Sequence, residues 1–135
     1  MSQYRELPIF MDTNVLLHYY EINLNIEDAI NRIITRKYII LIHRMVENEI
    51  FDALTKTGKL AKQAKIAVQL MKNFIPYEDE TEYSGTDTAL MEIAKKEKGC
   101  VFTFDKKLKY RCRSKDIPVI SLYKPGRLQL TGEIE

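Results

Sequence analysis

The sequence predicts an α/β domain of three layers, with helices on both faces of a central parallel sheet. Three observations carry this reading. Short apolar runs of strand length alternate with stretches of helical periodicity. Two of those runs, 7–11 and 100–104, lead straight into an acid, Asp12 and Asp105. Each such run is followed by a helix-like stretch, the order that builds a parallel sheet through right-handed crossovers.

The elements follow in order. Residues 7–11 are a continuous apolar run and read as a buried strand, with 15–20 giving one or two turns of helix after it. Asn25 caps a second helix that carries Ile26, Ala29, Ile30 and Ile33 at helical spacing. Residues 38–42 form a continuous apolar run rich in β-branched and aromatic residues, so they predict a strand buried on both faces. A helix over 44–55 runs to the break at Gly58. The clearest amphipathic helix spans 59–74, with Leu60, Ala64, Ala67, Val68 and Met71 on one face and Lys62, Lys65, Gln69 and Lys72 on the other. Pro76 opens an acidic, loop-like stretch over 77–85, and Thr86 caps a helix over 87–98 that Gly99 ends. The strand 100–104, a basic helical segment 106–113 and the strand 118–122 complete the alternation, and 127–130 adds an edge strand.

Composition bounds the function classes. At 135 residues, with 45% apolar and 30% charged residues, the chain reads as one globular domain over 1–135. No apolar run approaches the roughly 18 residues that span a bilayer, and the N-terminus lacks a signal-peptide pattern, so a cytoplasmic location is expected. Cys100 and Cys112 are too few for a disulfide framework and lack metal-motif spacing, which leaves two free thiols. A net charge of +2 says little about partners.

Four acids hold equivalent places in this scheme. Asp12 and Asp105 each end a strand, Asp87 sits in the first turn of a helix, and Glu49 projects from a helix that follows a strand. In a parallel sheet those positions share one edge, the edge where ligands bind. Gathered carboxylates repel one another without a cation, so such a cluster implies a hard divalent metal and suits phosphoryl chemistry. Each acid also has a plainer explanation. Asp12 and Asp87 are favoured at helix starts, Asp105 at a turn and Glu49 on a solvated face, where Glu47 competes for the role.

The segments 9–16, 46–50, 87–90 and 103–108, with the closing strand at 117–122, resemble the PIN-domain ribonucleases in order and spacing. The chain is most similar to small archaeal PIN proteins that resemble both VapC-type toxins and rRNA-processing PIN nucleases. The resemblance implies a PIN-like domain and a ribonuclease using Mg²⁺ or Mn²⁺. Asp12, Glu49, Asp87 and Asp105 would be its catalytic and metal-holding acids, and Asn14 and Thr103 would support them. It implies attack of water on the phosphodiester, leaving a 5′-phosphate and a 3′-hydroxyl. It also implies a homodimer, and an antitoxin or a pre-ribosome as partner. Two positions depart from the family: Thr88 stands where many relatives have a further acid after Asp87, and Lys107 where many have one after Asp105. One firm metal is therefore expected rather than two.

Lys106, Lys107, Lys109, Arg111 and Arg113 follow Asp105 directly, with Lys115 beyond. They would hold RNA phosphates beside the scissile bond, or form a solvated helix face. Tyr110 among them either stacks on an unpaired base or packs on the sheet. The lysines of 56–72 read as a solvent face, and Glu78, Asp79, Glu80 and Glu82 as a loop that repels nucleic acid. His18 and His43 lack ligand spacing and are left outside the site. Tyr19 and Tyr20 read as packing residues. Two other functions fit a parallel α/β chain, a non-catalytic PIN-like RNA-binding module of ribosome assembly and a phospho-accepting receiver domain. The receiver needs adjacent acids after the first strand, and Asp12 has none.

Overall fold

The computed structural model describes residues 2–19, 21 and 25–134. Their elements run β1 (Leu7–Met11), α1 (Thr13–His18), α2 (Ile26–Asn31), β2 (Tyr38–His43), α3 (Arg44–Leu54) and α4 (Gly58–Met71). These are followed by β3 (Ile75–Tyr77), α5 (Thr86–Glu97), β4 (Cys100–Phe102), α6 (Lys106–Ser114), β5 (Val119–Lys124) and β6 (Arg127–Thr131). The strands form one sheet in the order β3-β2-β1-β4-β5-β6. Every pairing is parallel except β5 with β6, so the expected edge strand exists and runs antiparallel. No helix among the described residues is long and apolar enough to cross a membrane.

β1 is central because it is apolar at every position. All five of its residues are buried, as a strand covered on both faces must be. The chain moves from β1 to β2 to β3 in one direction, then returns and continues to β4 and β5 in the other. Right-handed crossovers therefore put α1 to α4 on one face and α5 and α6 on the opposite one. Gly99 makes the tight entry to β4 possible, since a Cβ there would stand 2.4 Å from the Pro8 carbonyl oxygen. Cys100 and Cys112 are free and buried, and burial pushes both thiols up to about 12.

Several expected boundaries move. The short strand β3 replaces the expected loop start, and it tolerates Pro76 because it lies at the sheet edge. α4 accordingly stops at Met71 rather than 74, and on its inner face Gln63 is buried while Leu60 is 38% exposed. Thr86 is the first residue of α5 rather than its cap, a place taken by Gly85. β4 ends at Phe102, which frees Thr103 and Phe104 for a turn and makes Asp105 the cap of α6. α3 ends at Leu54 with Thr55 as its cap, and Gly58 opens α4 rather than breaking the helix before it. Tyr19 packs against the core as expected, and Tyr20 lies outside the described residues.

Candidate active site

The direction of winding reverses between β1 and β4, and in open α/β sheets the crevice beyond the carboxyl ends of such a pair is the ligand site. Asp12 leaves β1 there, its N–H donating to the Phe102 carbonyl at 2.8 Å. It caps α1 in an extended conformation, and its Oδ1 accepts the Thr13 N–H at 2.8 Å. Asp105 caps α6 in the same way, accepting the Lys107 N–H at 2.8 Å. Two helices thus start on carboxylates that face one crevice.

Asn14 and Thr103 tie the two turns together. Thr103, fully buried, donates its hydroxyl to Asp12 Oδ2 at 2.7 Å and accepts the Asp105 N–H at 3.1 Å. Asn14 donates Nδ2 to Asp12 Oδ2 at 3.2 Å and to Thr103 Oγ1 at 3.3 Å, while its Oδ1 accepts the Phe104 N–H at 3.1 Å. Asp12 is held from three sides and only 6% exposed. Asn14 and Thr103, the two residues named beside Asp12 in the sequence, both hydrogen-bond to it.

The other two acids stand on different helices and act on Asp12 by charge. Glu49 projects from α3 and accepts the Thr13 hydroxyl at 2.5 Å. Thr13 serves two acids: its N–H donates to Asp12 and its hydroxyl to Glu49. Glu47 leans the other way, raised by burial and by the charge of Glu78, with His43 opposing. Asp87 lies in the first turn of α5. Burial pushes the Asp12 carboxyl up to about 6; the hydrogen bonds from Thr103 and the Thr13 N–H oppose the rise, and the charges of Asp87 and Glu49 add to it. Asp87 is also raised, by burial and then by Asp105, with Arg111 pulling down and Glu49 pushing up. The four acids named from the sequence share one electrostatic field.

The donor set is hard oxygen from carboxylates, with hydroxyl and amide groups around it, and it suits a magnesium-like cation. Among the described residues no group of three or more His, Cys, Asp or Glu side chains already closes on one point as a metal site. The reasons are local: both Asp12 oxygens are occupied by donors, Glu49 is turned to Thr13, and Asp87 pairs with Arg111 at 3.5 Å. Mg²⁺ commonly takes only one or two carboxylates and keeps several waters, so a spread set of acids fits it. Thr88 and Lys107 add no carboxylate: Thr88 accepts the Ser84 hydroxyl at 3.3 Å and Lys107 is exposed.

The cations after Asp105 divide. Lys106 and Lys107 are exposed beside it and Lys109 is half-buried. Arg111 instead pairs with Asp87, and Arg113 donates to the Ile117 carbonyl at 3.1 Å, bracing the turn into β5. The Arg111 pairing joins residues 24 apart, and no local pattern announces it. The lysines of α4 lie on its solvent face, as expected. His18 pairs with Glu21 at 3.3 Å, and His43 is fully buried against Asp79 at 2.9 Å; each has a partner outside the acids. That pairing also revises the acidic stretch, since Asp79 is tied down and only 9% exposed.

A family model described as PIN like domain matches residues 9–125. Ribonuclease VapC4 of Methanocaldococcus jannaschii is 28% identical over 131 residues, covering 93% of this chain and 98% of that protein. Among solved structures, that of the PIN domain endonuclease Utp24 matches with a TM-score of 0.77 at 20% identity, over 95% of this chain and 93% of that one. A domain of a functionally unknown protein from Methanocaldococcus jannaschii DSM 2661 matches with a TM-score of 0.65 at 16% identity, over 96% of both chains. At these identities the two structural likenesses carry the fold.

Proposed function

This chain belongs to the PIN-like domain family, and from that premise we propose that it is a metal-dependent endoribonuclease. The observation that carries the reading is a buried Asp12 at the switch point, pushed up to about 6 by burial and by the charges of Asp87 and Glu49, with Asp105 acting in turn on Asp87. Similarity to a ribonuclease over nearly the whole chain supports nuclease chemistry in general. The hydrolysed bond, the metal and the RNA are the steps added here.

Asp12, Asp87 and Asp105 would hold Mg²⁺ or Mn²⁺, with Glu49 closing the α3 side. When bound, the cation supplies an activated water and neutralises charge on the phosphodiester. Asn14 and Thr103 keep Asp12 oriented, and positioning of this kind is worth much of a rate enhancement. Lys106, Lys107 and Lys109 take the phosphates flanking the scissile bond. Arg111 holds Asp87 until substrate and cation compete for both. The reading carries with it a cytoplasmic single-domain enzyme working as a homodimer. It would act in rRNA or tRNA processing, or as a toxin restrained by an antitoxin protein.

Purified protein with Mn²⁺ or Mg²⁺ is expected to cut RNA, leaving 5′-phosphate ends, and Asp12→Asn is expected to abolish cutting while the circular dichroism spectrum stays the same. Equal activity in parent and variant would refute the assignment. RNA binding without cutting by the parent would identify a non-catalytic RNA-binding module instead.

A further inference from the structure

A groove of about 520 Å³ opens between α6 and the β5–β6 hairpin, and Asp105 is part of its lining. We propose that this groove holds the base of an unpaired nucleotide next to the bond that is cut, an inference that rests on the ribonuclease reading above.

The walls match a nucleotide part by part. Phe104, Tyr110 and Leu122 supply apolar surface for the flat faces of a base. Lys106 and Lys109 stand along the α6 side, where the anionic linkage would run. Gln129 brings an amide donor and acceptor for a base edge, and its Nε2 donates to Ser121 Oγ at 3.4 Å. The volume lies within the range of roughly 300–1,000 Å³ usual for small-ligand sites.

Tyr110 argues most strongly. α6 buries Leu108 and Cys112, and the fold asks nothing of the ring at 110, which is 82% exposed. Of the two readings left open for Tyr110, packing on the sheet is ruled out by that exposure. An aromatic ring in water beside lysines is the arrangement that stacks on unpaired bases. Phe104 is already held, its ring edge-on to Phe102 at 5.8 Å between centroids, so one wall is rigid before anything binds. Asp105 belongs both to the groove lining and to the set of acids, so a base held there lies next to the proposed site of cleavage.

The test uses hexaadenylate carrying a fluorescent adenine analogue whose emission is quenched on stacking. In an Asp12→Asn background with Mg²⁺ present, the single strand is expected to bind with quenching. Adding Tyr110→Ala is expected to weaken binding roughly five- to hundredfold, and Tyr110→Phe to restore it. With Asp12 intact, Tyr110→Ala is expected to raise KM by a similar factor and leave kcat nearly unchanged. Tyr110 is exposed, so thermal melting is expected to show both variants folded. Unchanged affinity and quenching in Tyr110→Ala, with a parent that still cuts RNA, would overturn the groove and leave the nuclease reading standing. Quenching that depends on Tyr110, with a parent that never cuts, would overturn the nuclease reading and with it the premise of the subsite.

Discussion

Neighbouring strands β1 and β2 both end in a buried carboxylate network, and the two networks have opposite electrostatics. Beyond β2, Asp79 accepts the Tyr83 hydroxyl at 2.6 Å, the Thr81 N–H at 3.0 Å and the His43 ring at 2.9 Å. Burial alone would raise its pKa, but these donors together outweigh it and hold the carboxyl well below the usual range. Beyond β1, Asp12 also has donors on both oxygens, yet burial and the charges of Asp87 and Glu49 win. Asp79 is a finished structural post. Asp12 is a carboxylate whose surroundings still call for positive charge, and such an imbalance marks a functional site more often than a scaffold.

The sharpest way to break this contrast is catalytic. Asp12→Asn is expected to lower RNA cleavage about a thousandfold or more, the scale lost when a central electrostatic group is removed. Asp79→Asn is expected to leave kcat within about threefold once the protein is folded, since its partners lie outside the acid cluster. Comparable losses in the two variants would erase the distinction.

Next comes pH. In metal-free protein the folded pKa of Asp12 is about 6 against an ordinary 3.8, so the folded state holds its proton longer than the unfolded chain. Stability therefore falls as pH rises from about 4 to about 6 and levels off above that. The gap of about two units corresponds to about 3 kcal/mol at 1.36 kcal/mol per unit. Denaturant titrations of parent and Asp12→Asn without metal are expected to differ by this slope. Asp79 runs the other way: its contribution is present above the ordinary Asp pKa and is lost as the solution becomes more acid. A metal-free parent with no slope between pH 4 and 6 would mean that Asp12 is not strained by its neighbours.

The acids and their supports Asn14 and Thr103 were legible in the sequence, and the long-range ion pairs were not. Asp12 and Asp105 sit where strands give way to helices, so the alternation of apolar runs is enough to put them on one edge. Asp87 is read from its place in the first turn of a helix. Glu49 is read from its helix and from the family resemblance, and the structure distinguishes it from Glu47 by the Thr13 hydroxyl. Arg111 with Asp87 and His43 with Asp79 join residues 24 and 36 positions apart, and nothing in a local window reports such pairs. β3 was missed for a similar reason. Pro76 reads as a breaker, and only the edge position, a property of the whole sheet, makes it acceptable there.

The structural side of the comparison has its own prediction. Asp79→Asn removes one of two strong acceptors while Tyr83, Thr81 and His43 still bring three donors. The amide keeps one oxygen, so either the exposed Thr81 N–H or the His43 and Tyr83 donors lose their acceptor. A buried donor left so costs about 1–3 kcal/mol. The melting temperature is expected to drop by several degrees, and Tyr83→Phe added to it is expected to recover part of the loss by deleting the orphaned donor. Equal stability of Asp79→Asn and parent would mean that solvent, rather than this network, satisfies the end of β2.

The finest test separates orientation from ligation within the Asp12 network itself. Asn14 touches Asp12, Thr103 and the Phe104 N–H, so Asn14→Ala loosens the acid without removing it. Groups that orient a metal ligand typically contribute ten- to hundredfold in metal affinity. Asn14→Ala is expected to shift the Mg²⁺ or Mn²⁺ midpoint of cleavage by that factor, and saturating cation is expected to restore most of kcat. Asp12→Asn has no such rescue, because the missing charge cannot be replaced by a higher concentration of the same cation. If Asn14→Ala also stays inactive at saturating cation, Asn14 acts on the reacting atoms, and the site extends one residue further along α1 than the acids alone suggest.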